Sequence, residues 1–181
     1  MNRSACTSVY KVISGLVFLL SFSLHAATLE EMRWLHTADI VGSTTVCRAV
    51  LSADEGRKTP AMILNMTGRA TEQTELTGKY DSELSYSLEH AESPFLTYHY
   101  TISVSLSDGH EHAEIDPDSI VVSLPSARDR ELALAAEMRK HAVFDQKLRY
   151  IEITEFPSYL IRPEPGVSPI NMGVTYCRKL K

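Results

Sequence analysis

The sequence predicts an α+β fold with an antiparallel sheet, an N-terminal helix and a second helix at about residues 127–143. The clearest support is the segment 96–106, where apolar side chains occupy every second position, as in a long, half-buried strand. Helix-start signals at Thr28 and Ser126 place one helix before the strand patterns and one helix late among them. A β-sandwich with peripheral helices is the alternative architecture.

The segment before the first helix has the order of a secretory signal peptide. Two basic residues and no acidic residue precede an apolar run of thirteen residues, 12–24, and small residues follow it. This run is shorter than the about 20 residues that a membrane-spanning helix needs. We expect cleavage after Ala26 or Ala27, which removes a signal peptide at residues 1–27. Residues 28–181 should then form a single exported domain, periplasmic or secreted, without membrane insertion.

The expected mature domain is acidic. Loss of two basic residues leaves 16 Lys and Arg against 23 Asp and Glu, a net charge of −7 with histidine neutral. Nucleic acids and anionic membranes bind clustered positive charge, so this composition argues against both as partners. It is compatible with a protein partner, whose identity the sequence does not reveal.

Two cysteines remain after the signal peptide, Cys47 and Cys177, and we expect them to form a disulfide bond. Exported proteins meet an oxidising compartment, where two cysteines usually pair. In the loop-entropy model, closing a loop of about 130 residues stabilises the fold by more than 4 kcal/mol. Neither cysteine lies in a C-x-x-C pair or near a histidine in sequence, so a catalytic cysteine finds no support.

The first helix should begin at Leu29, because Thr28 and Glu31 have the spacing of a capping box. Trp34 is the only tryptophan and lies on this helix. A helix that begins a domain docks by its largest apolar groups. We therefore expect Trp34 to anchor the helix in the core.

Residues 41–53 fit two alternatives. The helix can end near Ile40 and be followed by a strand that carries Cys47, since this stretch is rich in β-branched residues. Alternatively, the helix can continue, straight or kinked, to Ala53. The second alternative is slightly favoured because several apolar or small residues and one histidine share a helical face: Leu29, Met32, His36, Ile40, Cys47 and Val50.

Most of the remaining chain has strand patterns. Alternating or β-rich apolar runs predict strands at residues 61–66, 83–89, 95–106, 118–125, 148–156, 158–163 and 174–180. His99 falls on the polar side of the long strand and should face solvent. Six tyrosines on these strands suit both a half-buried sheet and a binding surface: Tyr86, Tyr98, Tyr100, Tyr150, Tyr159 and Tyr176.

The second helix and the late loop interrupt this series. Ser126 can cap a helix at about residues 127–143, with acidic residues near its start and basic residues near its end, as the helix dipole favours. Residues 162–173 hold three prolines and two glycines, which predicts an irregular loop.

A cluster of charged and imidazole side chains follows the long strand, in the stretch "DGHEHAEID" at residues 108–116. The "SDG" before it predicts a tight turn, so the chain should return as a hairpin arm. In an extended arm, His110, His112 and Glu114 share one face. Their spacing suits a Zn²⁺ or Cu²⁺ site.

The same stretch has a simpler interpretation, which we favour. Ala113 and Ile115 should turn toward the core, and this orientation sends the two histidines outward. A polar, exposed hairpin arm then explains the composition without a metal. A tight metal site would also need a ligand from elsewhere in the fold.

No sequence signature for catalysis is present: the chain has no G-x-S-x-G, no H-E-x-x-H and no glycine-rich phosphate loop. We therefore expect a small exported, non-enzymatic protein that binds another protein, such as an inhibitor, an immunity-like factor or an assembly accessory factor. The alternative is an exported Zn- or Cu-binding protein that uses the His110, His112 and Glu114 cluster. A hydrolase is the third class, and no other cofactor is expected.

Overall fold

Ten antiparallel strands form one curved sheet, a half-barrel, in the part of the chain that the computed structural model describes. These described residues are 25–38, 40–56, 58–169 and 171–180, so most of the predicted signal peptide lies outside them. The strands are β1 (Thr44–Leu51), β2 (Met62–Gln73), β3 (Thr77–Leu88), β4 (Leu96–Ser107), β5 (His110–Ile115), β6 (Val121–Ser123), β7 (Val143–Lys147), β8 (Ile151–Glu155), β9 (Ser158–Ile161) and β10 (Thr175–Leu180). Two helices, α1 (Leu29–Thr37) and α2 (Glu131–Arg139), complete the predicted α+β fold.

The order of strands follows the chain on one side of β1 and reverses on the other. β2, β3, β4 and β5 extend the sheet from β1, and β7 pairs with the far edge of β5. β10, β9 and β8 extend it in the other direction, while β6 pairs with β4 beside β5. The first and last strands therefore meet near the middle of the sheet.

The predicted disulfide bond lies at this meeting point. Cys47 on β1 is directly opposite Cys177 on β10, and the bond links them across a sequence separation of 130. Because it joins the first and last strands, the bond closes almost the whole sheet into one covalent loop.

The period-two pattern of β4 is confirmed. Its apolar residues face the side of the sheet that both helices cover, which we call the inner face. Leu106 packs beneath α1, whereas Tyr98 and Ile102 pack in the cluster beneath α2. On the opposite, outer face, His99 is exposed as predicted, and its Nδ1 lies 3.6 Å from Glu83 Oε2.

The capping box at the start of α1 is confirmed. Thr28 Oγ1 accepts a hydrogen bond from the Glu31 backbone N–H at 3.2 Å, and the Glu31 carboxylate accepts one from the Thr28 N–H at 2.8 Å. Three residues form the buried side of the helix: Met32, Leu35 and His36. The prediction for Trp34 is wrong, because its position on the helix turns the ring away from the sheet and leaves it 56% exposed.

Residues 41–53 contain a strand, so the slight preference for a continued helix is wrong. α1 ends at Thr37, Gly42 turns the chain at a φ of 97°, and β1 begins at Thr44. β1 pairs with β2 along one edge and with β10 along the other. Pairing on both edges, together with β-branched side chains, outweighs the helical spacing of a few apolar residues.

The second helix is shorter than predicted, and Ser126 does not cap it. A 3₁₀ turn at Arg128–Arg130 precedes α2, and the Glu131 carboxylate accepts a hydrogen bond from the Leu124 N–H at 2.8 Å. The predicted helical end, residue 143, instead begins β7, which pairs with β5. The open edge of β5 explains this difference, because backbone groups there gain partners only if a strand forms.

Buried side chains form three clusters on the inner face. One packs α1 against β4 and β8, one packs α2 against β4, β5 and β6, and one lies between β1, β2 and β3. Ala27 belongs to the first cluster and donates its N–H to the Ile151 carbonyl at 2.7 Å. The core thus includes the residue just before the predicted start of the domain. Neither described helix is long and apolar enough to cross a membrane.

Candidate functional site

A cavity of about 200 Å³ lies on the inner face, between α1 and the middle of the sheet. α1 contributes Met32 and Leu35 to its wall, and the strands contribute apolar groups that include Met66, Ile102 and Ile161. An engineered apolar cavity of about 150 Å³ takes up benzene, so this space is large enough for a small ligand.

A glycine in the middle of β2 forms part of the cavity wall. A Cβ added at Gly68 would lie 3.4 Å from Ser82 Oγ and 3.7 Å from Tyr80 Cβ, which are ordinary contact distances. A side chain could therefore begin at Gly68 without a clash, in contact with Ser82 and Tyr80. Glycine in a strand interior often marks a place where a ligand approaches the backbone closely.

A second glycine positions one aromatic ring of the wall. A Cβ at Gly78 would lie only 2.7 Å from Tyr80 Cε2 and Tyr80 Oη, so glycine makes room for this ring along β3. The Tyr80 hydroxyl then donates a hydrogen bond to Gln73 Oε1 at 2.9 Å. Gly78 thus leaves room for the ring, and the hydrogen bond to Gln73 holds its hydroxyl beside the cavity.

One buried histidine brings a polar group to the cavity. His36 lines the wall from α1 and is 3% exposed. Its Nε2 lies 3.4 Å from Oε2 of Glu111, which lines the wall from β5. Its Nδ1 is buried and has no hydrogen-bond partner among the described residues.

Tyr100 lines the cavity on the side toward α2, and Tyr86 and Tyr98 pack in the core clusters beyond the lining. Burial raises the pKa of Tyr100 from 10.0 to about 12, with a smaller contribution from Tyr86 nearby. Burial also raises the pKa of Tyr86 and of Tyr98, whose rings meet edge to face at 6.4 Å. The shift of Tyr100 indicates surroundings of low polarity on this side of the cavity, because such surroundings disfavour the charged phenolate.

The predicted hairpin is confirmed, and it places the proposed metal ligands on the outer face. β4 and β5 pair with Ser107 opposite His110. Ala113 and Ile115 are buried on the inner face, as expected, so His112 and Glu114 point the other way.

The nearest ionic partner of the hairpin histidines comes from β7, a strand that the sequence pattern does not predict. His112 Nδ1 lies 2.9 Å from Asp145 Oδ1, and both side chains are about half exposed. Among the described residues, no group of three or more His, Cys, Asp or Glu side chains could hold a metal ion. The metal site therefore stays a prediction without a visible third ligand.

Two kinds of residue in the sequence indicate the cavity, although the metal-like cluster at residues 108–116 is more conspicuous. His36 sits among apolar residues on the buried side of α1, and Glu111 alternates with Ala113 and Ile115 on the inner side of β5. A polar residue on an apolar face is an informative departure from the pattern. Gly68, inside a strand pattern, is the other such signal.

No protein-family model matches the chain, and no curated protein matches its sequence.

Proposed function

We propose that this protein is an exported, non-enzymatic binding protein whose ligand is a small apolar molecule held between α1 and the sheet. The observation that carries the proposal is the apolar cavity of about 200 Å³ in the centre of the inner face. Ligand sites are typically concave, mostly apolar and formed before the ligand arrives, with a few polar groups that orient it. The cavity and its single histidine–carboxylate pair correspond to this description.

The walls of the cavity are rigid elements. Its residues come from one helix and from strands on both sides of β1, and the disulfide at Cys47 ties β1 to β10 beside it. Atoms that line an empty space lack the dispersion contacts that a packed core would give them. A ligand of matching size supplies those contacts at little cost in ordering the protein.

The proposal is tested with p-xylene as an apolar probe and Gly68→Leu as a variant that fills the cavity. Ligand that binds only the folded state raises the melting temperature in proportion to its occupancy. We expect p-xylene to raise the Tm of the wild type and to have little effect on Gly68→Leu, whose own Tm without probe should be equal or higher.

Ser103→Leu is the matched control, because Ser103 is an exposed small residue on the outer face of β4. This variant should respond to p-xylene as the wild type does. Equal responses of wild type and Gly68→Leu, or no response of the wild type up to the solubility limit of p-xylene, would reject the proposal.

The protein partner expected from the sequence is a second candidate, and one exposed group of side chains favours it. Trp34 is largely exposed on the side of α1 away from the sheet, and Ile40 and Val41 are exposed in the following loop. Exposed aromatic residues beside apolar ones are typical of protein interfaces. Pull-down from the exported fraction should recover a stoichiometric partner with the wild type and lose it with Trp34→Glu. Recovery of no partner by the wild type would reject this candidate.

A further inference from the structure

We propose that the outer face of the sheet holds a second binding site, at which Arg48 and Arg178 bind an acidic segment of a partner protein. The site is a hollow of about 520 Å³ over the middle of the sheet, and we call it the arginine groove. It lies on the other face of the sheet from the apolar cavity. The inference therefore goes beyond the proposed function and does not depend on it.

The arginine groove is built from alternate residues of four neighbouring strands. β2, β1, β10 and β9 each contribute two residues that are two positions apart. Ala49 belongs to a core cluster of the inner face, so Arg48, next to it on β1, points to the outer face. Tyr176 lies opposite Arg48 in the register of β1 and β10, and Arg178 is two residues further along β10. All three side chains therefore share the outer face.

The two arginines are diagonal neighbours across β1 and β10. Residues at such positions in antiparallel strands lie about 7–8 Å apart. Both side chains are exposed and long, so both guanidinium groups can reach one carboxylate between them. A guanidinium group binds a carboxylate through two parallel N–H···O hydrogen bonds, which makes this anion a suitable ligand.

The positive charge of the groove has no partner in the described part of the chain. Arg48 and Arg178 are the charged residues of the described lining, and no ion pair or side-chain hydrogen bond joins either guanidinium to another described residue. The whole chain has 23 acidic and only 18 basic residues, and other exposed cations, such as Arg33 and Lys140, pair with carboxylates. Two unpaired arginines on an acidic protein thus favour an acidic group from a partner.

The remaining lining fits a polypeptide better than a lone anion. Tyr176 is 64% exposed beside Arg48, and Val46 and Leu160 add apolar groups. An adjoining hollow of about 330 Å³ shares Arg48 and Tyr176 with the groove and extends the surface. Arginine and tyrosine beside apolar groups are typical of protein interfaces. Anionic membranes and nucleic acids bind larger clusters of basic residues than this pair.

A displayed library of random short peptides is the probe, selected in parallel on the wild type and on the double variant Arg48→Gln with Arg178→Gln. We expect peptides enriched only on the wild type to share an Asp or Glu with apolar neighbours. Calorimetry then measures the Kd of the most enriched of these as a synthetic peptide. The double variant should bind it at least about 10-fold more weakly, because charge-assisted hydrogen bonds are lost.

Arg128→Gln with Arg130→Gln is the matched control, because it removes two exposed arginines outside the groove and changes the net charge equally. It should leave the Kd unchanged. An equal loss of affinity in both double variants would show that net charge, rather than the groove, attracts the peptide, and the inference would be wrong.

The wild type alone provides a second measurement. Replacing Asp and Glu of the selected peptide by Asn and Gln should weaken its binding to the wild type and change its binding to the Arg48→Gln, Arg178→Gln variant little. Enrichment of the same peptides on both proteins, or equal binding of the neutral peptide, would overturn the inference. Self-association of the wild type that this variant abolishes would assign the groove to a second copy of the chain instead. The Tm response to p-xylene should be the same in this variant as in the wild type, so the proposed function is tested separately.

Discussion

Glu111 and His112 are adjacent on β5, yet their side chains serve two different regions of the molecule. Glu111 points to the inner face and approaches His36 at 3.4 Å, whereas His112 points to the outer face and approaches Asp145 at 2.9 Å. Each region thus holds one histidine and one carboxylate. The outer pair is about half exposed, while the His36 side chain is 4% exposed.

The difference between these regions lies in burial rather than in residue type. An exposed histidine–carboxylate pair competes with water and salt and contributes little to stability or recognition. In the inner pair the His36 side chain is 4% exposed and the Glu111 side chain is 24% exposed, and both residues line the apolar cavity. Of the two pairs, only the inner one borders the cavity that we propose as the ligand site.

The largest expected difference in stability is between variants of two neighbouring residues of α1 that point to opposite sides of the helix. Leu35 is 1% exposed in the core cluster, and Trp34 lies on the other side of the helix. Leu35→Ala should lower the free energy of unfolding by about 2–5 kcal/mol, through lost burial and an enlarged cavity. Trp34→Ala should lower it by less than about 1 kcal/mol. Urea denaturation measures both free energies. A larger effect for Trp34→Ala would contradict the assignment of Leu35 to the buried side of α1.

A smaller effect is expected in the stability of the fold at alkaline pH. Burial raises the pKa of Tyr100 from 10.0 to about 12, so the folded protein holds this proton more tightly than the unfolded chain does. The resulting stabilisation is complete below pH 10 and is lost as the pH rises through about 12. Its full size is on the order of 3 kcal/mol, from about 1.4 kcal/mol per pKa unit over about two units.

Tyr100→Phe should therefore lose less stability than the wild type between pH 10 and 12. Tyr176→Phe, at an exposed tyrosine of β10, should keep the wild-type profile. Denaturation midpoints measured across this pH range provide the comparison. Identical profiles for the wild type and Tyr100→Phe would show that the environment of Tyr100 is not apolar.

The smallest expected effect is metal binding at the outer hairpin. Because no third ligand for His110 and His112 is found among the described residues, Zn²⁺ or Cu²⁺ should raise the Tm only slightly. The metal hypothesis predicts instead a clear rise in Tm that His110→Ala with His112→Ala abolishes. That result would make the outer face the functional one and would require a ligand in addition to Glu114.

Local patterns predicted much of the sheet. The alternation in β4, the tight turn and the orientation of Ala113 and Ile115 depend on residues close in sequence, and the hairpin was correct. The disulfide was predicted from the number of cysteines and from the expectation of export. These features can be predicted without knowing which distant strands pair with each other.

The features that escaped prediction depend on distant partners. β7 exists because β5 offers an open edge, and β1 is a strand because β2 and β10 pair with both of its edges. His36 and Glu111 are 75 residues apart, so nothing local indicates that they meet. The cavity is likewise a property of how α1 lies across the sheet, although Gly68 and the polar residues on apolar faces were visible signals.

Methyl NMR of the wild type during titration with p-xylene tests the central claim most directly. Methyl groups on the cavity wall at Met32, Leu35 and Ile102 should shift together and saturate, while those of Val50 and Val121, which lie outside it and are exposed, should not. Saturable shifts confined to exposed methyl groups, or no saturable shift at the cavity wall, would contradict the assignment of the inner face as the binding site.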